Sequence, residues 1–210
     1  MTAAVDLYTA GLATDAPPLV LRYRDGSTRT LPVGTWTATH VAGDEGLLAR
    51  CRGATLDVGC GPGRLTVAVA SCGLPALGVD IAPGAVALAR SRGALVLARS
   101  IFSALPGHGR WGTALLADGN VGIGGDPVGL LARLKDLLAV DGVVLVELDP
   151  PGTPSGQVQV RVEHAGTASD WFPWAHVSAD HAEVVAEAAG LYVTEQWKET
   201  GRWFAALARP

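Results

Sequence analysis

Residues 56–63 read "LDVGCGPG", a short apolar segment that runs into three alternating glycines. The apolar character of Thr55–Val58 predicts a buried strand, and Arg64–Cys72 has the period of a helix. Glycine carries no side chain, so it lets a ligand approach the backbone, and the first turn of a helix has N–H groups without helical partners. The segment therefore predicts a ligand-binding turn between a strand and a helix.

Short apolar runs alternate with segments of helical period on the C-terminal side of this turn. The predicted strands are Thr55–Val58, Ala76–Val79, Ala94–Leu97, Thr113–Ala117 and Val143–Leu148. The predicted helices are Arg64–Cys72, Pro83–Arg92 and Pro127–Ala139. Asp126 is predicted to cap the last helix, and Asp141-Gly142 to turn the chain into the last strand. Strands that are apolar on both faces are typical of a parallel sheet covered by helices, so the alternation predicts a doubly wound α/β fold.

Two hairpins are predicted outside this alternation. Tyr192–Trp197 and Trp203–Ala208 are joined by a short turn with glycine, which predicts an antiparallel hairpin at the sheet edge. Asp25-Gly26 predicts another hairpin near the N-terminus. Between them lie a polar alternating run, Gln157–Glu163, and an aromatic stretch, Trp171–His176.

One further helix is predicted between the aromatic stretch and the C-terminal hairpin. Ser178 or Asp180 is expected to cap it, and it ends at Gly190. Asp180 and Glu183 have the spacing of a capping box.

The composition favours a single soluble domain. The chain has 210 residues, of which 49% are hydrophobic and 17% charged, and its net charge of −4 leaves no excess of cations to hold a nucleic acid. The three cysteines form no C-x-x-C pair, so neither a metal site nor a disulfide framework is expected. With no leader and no apolar run of about 18 residues, we expect a cytoplasmic protein without a membrane partner, monomeric or homodimeric. The Arg- and Ala-rich composition suggests a bacterial source.

The spacing of the glycines separates two classes of nucleotide ligand. A dinucleotide fingerprint, G-x-G-x-x-G, needs a third glycine for close packing of helix and strand. In the two frames of this turn the third position is Arg64 or Thr66. The turn therefore does not match a nicotinamide dinucleotide site.

Asp57, Gly59, Gly61 and Gly63 instead form the motif D-x-G-x-G-x-G, and Asp80 ends the next predicted strand in "ALGVD". This pattern closely resembles the first motif and the following acidic residue of the class I methyltransferases that depend on S-adenosylmethionine (SAM). The resemblance implies a Rossmann-like fold, with a doubly wound seven-stranded sheet whose last strand is antiparallel. It also implies that residues 50–210 form a SAM-binding domain and residues 1–49 an N-terminal arm or lid.

The resemblance further implies roles for single residues. Asp80 would accept hydrogen bonds from both ribose hydroxyls, and Ile81 would lie on the adenine face. Ser100 and Ile101 stand in the adenine segment, where the family often carries an acidic residue. The glycine turn suits the carboxylate of the methionine tail, and Asp57 suits its ammonium group.

The sequence leaves the proton acceptor of the reaction open. Candidates are His40, His108, His164, His176 and His181, together with Asp118, Asn120 and Asp149. His176 follows aromatic residues that either wall an acceptor pocket or only cover the sheet edge. Asp118 and Asn120 end a predicted strand at its carboxyl side, where open α/β sheets bind ligands, although a structural turn is the alternative. We expect His176 and Asn120 to be catalytic and Asp118 to contact the cofactor.

Tyr8, in "DLYTAGL", resembles the tyrosine of N-terminal lids that close over the cofactor in small-molecule methyltransferases; the alternative is a partly buried anchor. We expect the chain to transfer a methyl group from SAM to a small molecule and to release S-adenosylhomocysteine (SAH). Two alternatives stay open. One is a protein of the same fold that binds SAM or SAH, or uses SAM, without methyl transfer, and the other is a nicotinamide oxidoreductase.

Overall fold

The computed structural model describes residues 3–13 and 15–210. The strands are β1 Val20–Tyr23, β2 Thr28–Thr30, β3 Thr55–Val58, β4 Ala76–Asp80, β5 Val96–Ala98, β6 Trp111–Leu116, β7 Leu138–Leu148, β8 Gly156–His164, β9 Thr167–Ala168, β10 Phe172–His176, β11 Tyr192–Glu199 and β12 Arg202–Ala208. The helices are α1 Ala4–Gly11, α2 Val33–Thr37, α3 Asp44–Arg50, α4 Arg64–Ser71, α5 Pro83–Ser91, α6 Pro127–Leu137 and α7 Ala182–Ala188. In the described ranges, none of these helices has both the length and the apolar character needed to span a bilayer.

A central sheet of seven strands has the order β11-β12-β7-β6-β3-β4-β5. β3 pairs in parallel with β4 and β6, and β6 pairs in parallel with β7. β12 runs antiparallel to β7 and forms a hairpin with β11 at the sheet edge. The predicted seven-stranded α/β sheet with an antiparallel last strand is therefore confirmed.

Helices cover both faces of the central sheet because its strands are apolar on both faces. In β6, Ala114 and Leu116 face one core and Leu115 faces the other, as the two-residue period of a strand requires. α6 and α7 close the first core, where Leu130 and Leu134 are fully buried. α3 and α4 close the second. Because β3, β4, β6 and β7 run in parallel, their carboxyl ends meet at one edge of the sheet.

A small sheet of strands β10-β8-β1-β2, with β9 paired to β8, stands beside the central sheet. The hairpin predicted at Asp25-Gly26 is present as β1 and β2. The sequence did not predict that β1 pairs with β8, or that the aromatic stretch forms a strand, β10, on the other side of β8. Strands that are distant in sequence carry no local signal of their partners, so the polar alternating run Gln157–Glu163, which lies in β8, did not reveal the sheet.

Two local predictions are wrong, and one is confirmed. Asp141-Gly142 does not separate a helix from a strand, because β7 runs through it from Leu138 to Leu148. The capping box is absent, since the Asp180 carboxylate accepts a hydrogen bond from Gly152 N at 2.5 Å instead. Asp126 caps α6 as predicted, accepting a hydrogen bond from Gly129 N at 2.9 Å.

The turn between β3 and α4 depends on its three glycines. Gly59, Gly61 and Gly63 have φ values of +68°, +51° and +83°, in the left-handed region that other residues rarely adopt. Gly63 also allows α5 to approach, because a Cβ atom there would lie 2.9 Å from Cβ of Ala89 and 3.2 Å from Cβ of Ala94. The glycines therefore serve both the conformation of the turn and the packing beneath it.

A matched pair of substitutions separates these two effects. Gly63 and Gly73 have φ values of +83° and +81°, but a Cβ atom at Gly73 would meet nothing within 4 Å. We expect Gly73→Ala to cost about 1 kcal/mol of unfolding free energy from backbone strain alone. Gly63→Ala should cost about 1–3 kcal/mol more, because α5 must move. Urea unfolding of both variants measures the difference, and equal losses would contradict close packing at Gly63.

Candidate functional site

A cavity of about 960 Å³ opens at the carboxyl ends of β3, β4, β6 and β7. The glycine turn lines one side of it, and the small sheet, α1 and α2 line the other. Open α/β sheets bind their ligands at this edge. The volume lies at the upper end of the range of about 300–1,000 Å³ found for small-molecule sites, so it has room for more than one small molecule.

Asp80 joins the turn after β3 to the turn after β4. Its Oδ2 accepts a hydrogen bond from Gly61 N at 2.8 Å, and its Oδ1 accepts one from Ala82 N at 2.8 Å. Each carboxylate oxygen keeps a second lone pair, so the group can still accept two hydroxyl donors from the cavity. Burial raises the pKa of Asp80, and the two backbone N–H groups oppose that rise.

The next residues along this edge offer an apolar surface. Ile81 is 60% exposed although it lines the cavity, and Ser100 and Ile101 line it from the segment after β5. Ile101 is only 4% exposed because it also packs in the core. Ile81 and the segment after β5 thus border the same part of the cavity.

Asp57 lies under the glycine turn and is 3% exposed. Its Oδ2 accepts a hydrogen bond from the Thr66 hydroxyl at 2.6 Å. Burial raises the pKa of Asp57 from its ordinary value of 3.8 to about 6, which the bond from Thr66 and the charge of Arg64 partly oppose. A cation in the cavity would favour the ionised form of Asp57.

A network of five ionisable side chains forms the wall beside Asp57. Arg64 donates to Asp44 and to Asp118 Oδ2, the latter at 2.6 Å. Arg202 donates to Asp44 Oδ1 at 2.8 Å and to both carboxylate oxygens of Glu147 at 2.9 and 2.8 Å. Three carboxylates face two guanidinium groups, so the network has a formal charge of −1. Together with Asp57, it gives this side of the cavity a negative potential suited to a cationic ligand.

Asp118 and Asn120 come together below the cavity as the sequence predicted, but each has protein partners. Asp118 has a φ of +55°, its N–H donates to Glu147, and burial raises the pKa of its carboxyl. The amide nitrogen of Asn120 donates to the carbonyl oxygens of Val58 and Gly59 at 2.9 Å each. This amide therefore holds the end of β3 and the start of the glycine turn.

His176, on β10, is the centre of a chain of hydrogen bonds in the opposite wall. Its Nδ1 lies 2.9 Å from Asp149 Oδ2, and its Nε2 lies 3.1 Å from the Tyr23 hydroxyl. A carboxylate only accepts, so we assign the proton to Nδ1 and let Nε2 accept from Tyr23. Burial raises the pKa of Tyr23, and Arg29 opposes that rise. An imidazole whose Nε2 can accept a proton, and whose Nδ1–H donates to a carboxylate, is suited to act as a general base.

Sequence reasoning missed Tyr23 as a site residue. It lies 153 positions from His176, and only the pairing of β1 with β8 and of β8 with β10 brings them together. No local motif marks Tyr23, and the one signal available was its place in the predicted N-terminal hairpin.

The other histidines lie elsewhere. His40 is exposed beside Glu45 at 2.5 Å, His181 lies 3.0 Å from the Ser178 hydroxyl, and His108 is in a surface loop. His164 is 8% exposed, and its Nδ1 has no hydrogen-bond partner among the described residues. In the part of the chain that the structure describes, only His176 of the five lines the cavity.

Tyr8, on α1, lies over the glycine turn. Its hydroxyl would be 3.0 Å from a Cβ atom at Gly61, and its ring meets the Trp36 ring edge-on at 5.8 Å between centroids. Burial raises the pKa of Tyr8, so its hydroxyl stays neutral. Residues of α1 and α2 thus form a cover over the turn.

Comparison with known proteins agrees with this geometry. Residues 56–105 match the family model described as "Methyltransferase domain". A SAM-dependent methyltransferase from Bacteroides fragilis, crystallised with SAH, is 21% identical, covers 100% of this chain and 97% of its own, and has a TM-score of 0.82. A 1,6-didemethyltoxoflavin-N1-methyltransferase from Burkholderia thailandensis is 20% identical over 79% of this chain and 73% of its own, with a TM-score of 0.56. The sugar N-methyltransferase KedS8 from Streptoalloteichus sp ATCC 53650 is 16% identical over 84% of this chain and 90% of its own, with a TM-score of 0.61. None of the curated proteins matches the chain.

These solved structures show that the chain has the class I methyltransferase fold. The methyltransferase domain model that matches residues 56–105 agrees with that fold and with the class I SAM-dependent methyltransferases. SAM is the cofactor of that class, and the cavity fits it. Gly59 and Gly61 present backbone to the cavity, Asp80 keeps two acceptor positions, and the negative wall suits a sulfonium and an ammonium group.

The substitution Asp57→Asn is expected to change how stability depends on pH. Because burial raises the pKa of Asp57, the stability present at about pH 4 is lost as the pH rises through about 6. A rise of about 2 pH units in the pKa corresponds to about 3 kcal/mol. Between about pH 4 and pH 7, the unfolding free energy of the wild type should therefore fall by up to that amount relative to Asp57→Asn. Urea unfolding across this range measures the difference. Asp136→Asn, an exposed control on α6, should follow the wild type. Parallel profiles for the wild type and Asp57→Asn would contradict this account.

Proposed function

We propose that the protein transfers a methyl group from SAM to a small-molecule acceptor bound between the glycine turn and the small sheet. The observation that carries the proposal is that the His176 and Asp149 pair faces the same cavity as the glycine turn and Asp80. A general base and a cofactor cradle on opposite walls leave the space between them for an acceptor. The solved structures named above support a small molecule, since one carries 1,6-didemethyltoxoflavin and another is a sugar N-methyltransferase.

The cofactor would lie along the carboxyl edge of the central sheet. Asp80 would accept hydrogen bonds from the two ribose hydroxyls, with Ile81, Ser100 and Ile101 around the adenine. The turn formed by Gly59, Gly61 and Gly63 would hold the methionine carboxylate, while Asp57 and Asp118 lie on the side of its ammonium group. When bound, SAM supplies an electrophilic methyl group on a sulfonium. The protein's part is to align the acceptor with that group at about 3–3.5 Å.

His176 would remove the proton of the acceptor as the methyl group moves. Its Nε2 takes the proton, and Asp149 stabilises the imidazolium through the bond to Nδ1. Asn120, which the sequence placed among the catalytic residues, would act by holding the turn, because its amide nitrogen is committed to the carbonyl groups of Val58 and Gly59. Tyr23 would keep Nε2 occupied until an acceptor hydroxyl replaces it.

Residues 1–49 would serve as a lid over residues 50–210, as the sequence predicted. Tyr8 and Trp36 cover the turn, and Arg92, at the C-terminal end of α5, donates to the Thr37 carbonyl at 2.7 Å and so anchors the end of α2. Closure of such a cover excludes water from methyl transfer. A bacterial source, a cytoplasmic location and a monomeric or homodimeric state stay predictions of the sequence.

Removing the Asp80 carboxylate tests the cofactor assignment. We expect Asp80→Ala to weaken SAH binding about 100-fold, because two hydrogen bonds from the ribose to a charged acceptor are lost. Isothermal titration calorimetry with SAH measures the loss. Asp126→Ala is the matched control, since it also removes a carboxylate that caps backbone N–H groups but lies outside the cavity. An unchanged dissociation constant for Asp80→Ala would remove the ribose assignment.

Replacing His176 tests methyl transfer itself. With methyl-labelled SAM and a panel of small hydroxyl and amine compounds, the wild type should label at least one compound. His176→Gln should slow that transfer about 100-fold or more and leave SAH binding unchanged. His181→Gln, which removes a histidine bonded to Ser178 outside the cavity, should match the wild type. Tight SAH binding without transfer to any compound would favour the alternative, a protein that binds the cofactor without methylating.

A further inference from the structure

The face of the small sheet that meets the cavity is a row of rings ending at His176. Phe172, Trp174 and His176 alternate along β10 and therefore share one face. The register places Val160 and Tyr23 beside Phe172 on that same face. The row gives this side of the cavity an aromatic surface with His176 at one end.

The spacing along β10 matches one ring with a hydroxyl group. Two residues of a strand span about 7 Å, close to the length of a six-membered ring, its hydroxyl and a hydrogen bond placed in line. A ring lying on Trp174 would therefore bring its hydroxyl to the His176 imidazole. The Trp174 indole packs tightly against Gly122, where an added Cβ atom would lie only 2.4 Å from the indole Nε1. The Phe172 ring meets the indole edge-on, with 6.5 Å between the ring centroids.

The rest of this side of the cavity is mostly apolar. Leu21, Leu31 and Val162 line it, and α2 adds Trp36, whose buried Nε1 has no hydrogen-bond partner among the described residues. Polar side chains on this side are few: Arg29, Thr35, Asp149, Asp170 and His176. A sugar would leave several hydroxyls without partners here, at about 1–3 kcal/mol each, whereas an aromatic ring would not.

Tyr23 shows which group fits the base. It is a phenol of the protein itself, its hydroxyl lies 3.1 Å from His176 Nε2, and its ring lies 5.8 Å from the imidazole with an angle of 30° between the planes. A phenol hydroxyl has a pKa near 10 in water and needs a base as it is methylated, whereas an aromatic amine is already neutral. The pair of His176 and Asp149 therefore suits an acceptor that is methylated on oxygen.

We propose that the acceptor is a planar aromatic hydroxyl compound that stacks on Trp174, meets Phe172 edge-on and takes the place of the Tyr23 hydroxyl at His176. This inference rests on the proposed function for its chemical step. In that step the acceptor oxygen forms a bond to the methyl carbon, and the carbon–sulfur bond breaks with its electron pair on sulfur, which leaves SAH. The hydroxyl proton passes to His176 Nε2.

Binding and transfer are measured separately with three probes of defined shape. 2-Naphthol is planar and aromatic, 2-decalol has the same skeleton but is saturated and not planar, and glucosamine is an amino sugar. Calorimetry with SAH present should show that 2-naphthol binds at least about 10-fold more tightly than the other two, and only 2-naphthol should accept label from methyl-labelled SAM. Equal or tighter binding of 2-decalol or glucosamine, or no binding of 2-naphthol, overturns the proposal.

Variants connect the binding to the row of rings. Trp174→Leu and Phe172→Leu should each weaken 2-naphthol binding about 10-fold while SAH binding, which reports an intact fold, stays unchanged. Tyr192→Leu, on β11 and 46% exposed, is the control and should bind like the wild type. If Trp174→Leu does not fold, Phe172→Leu decides alone. Unchanged 2-naphthol binding in a folded variant overturns the stacking. Selective 2-naphthol binding without any label transfer supports the aromatic site and counts against the proposed function instead.

Discussion

The left-handed turn between β3 and α4 is the constraint on which the rest of the site depends. Three glycines with positive φ let the chain reverse over Asp57, and Gly63 lets α5 pack directly beneath the turn. The same turn presents Gly61 N to the Asp80 carboxylate, so the ends of β3 and β4 are held in one geometry. Asn120 holds the turn from the other side. Side chains at these glycine positions would alter the backbone, the helix packing and the contact to Asp80 together.

The ionisable groups around the turn carry an excess of negative charge that is largely buried. Among the described residues, no cation is bonded directly to the buried Asp57 carboxylate, and the neighbouring network has one carboxylate more than its two guanidinium groups neutralise. Such a wall costs free energy, since a buried excess of negative charge is poorly solvated. A cationic ligand would relieve that cost, which is why the electrostatics of the protein alone favour a positively charged cofactor.

Local patterns predicted the central sheet and the glycine turn because both are encoded in neighbouring residues. The strand–glycine–helix order at 55–72 and the aspartate that ends β4 lie within one βαβ unit. The small sheet depends on pairing at long range: Arg22 on β1 bonds Glu163 on β8, 141 positions away. Tyr23 was missed for that reason. Arg64 and Glu147 were missed too, since an ion network drawn from five separate segments leaves no spacing to recognise.

The two sides of the cavity are therefore built from different parts of the sequence. The proposed cofactor side is built mainly around the glycine turn and the strand ends that follow it, and the geometry of the turn admits little variation. The proposed acceptor side is built from β1, β8 and β10, with α1 and α2 above it, and its chemistry is set by the side chains on one face of a small sheet. A change at Trp174 or Phe172 would alter which ring can lie there without disturbing the turn or Asp80. His176 is the exception, because its position on β10 ties the acceptor surface to Asp149 at the end of β7, and so to the central sheet. Methyl transfer, as proposed here, needs that one connection to keep the base in register with the cofactor.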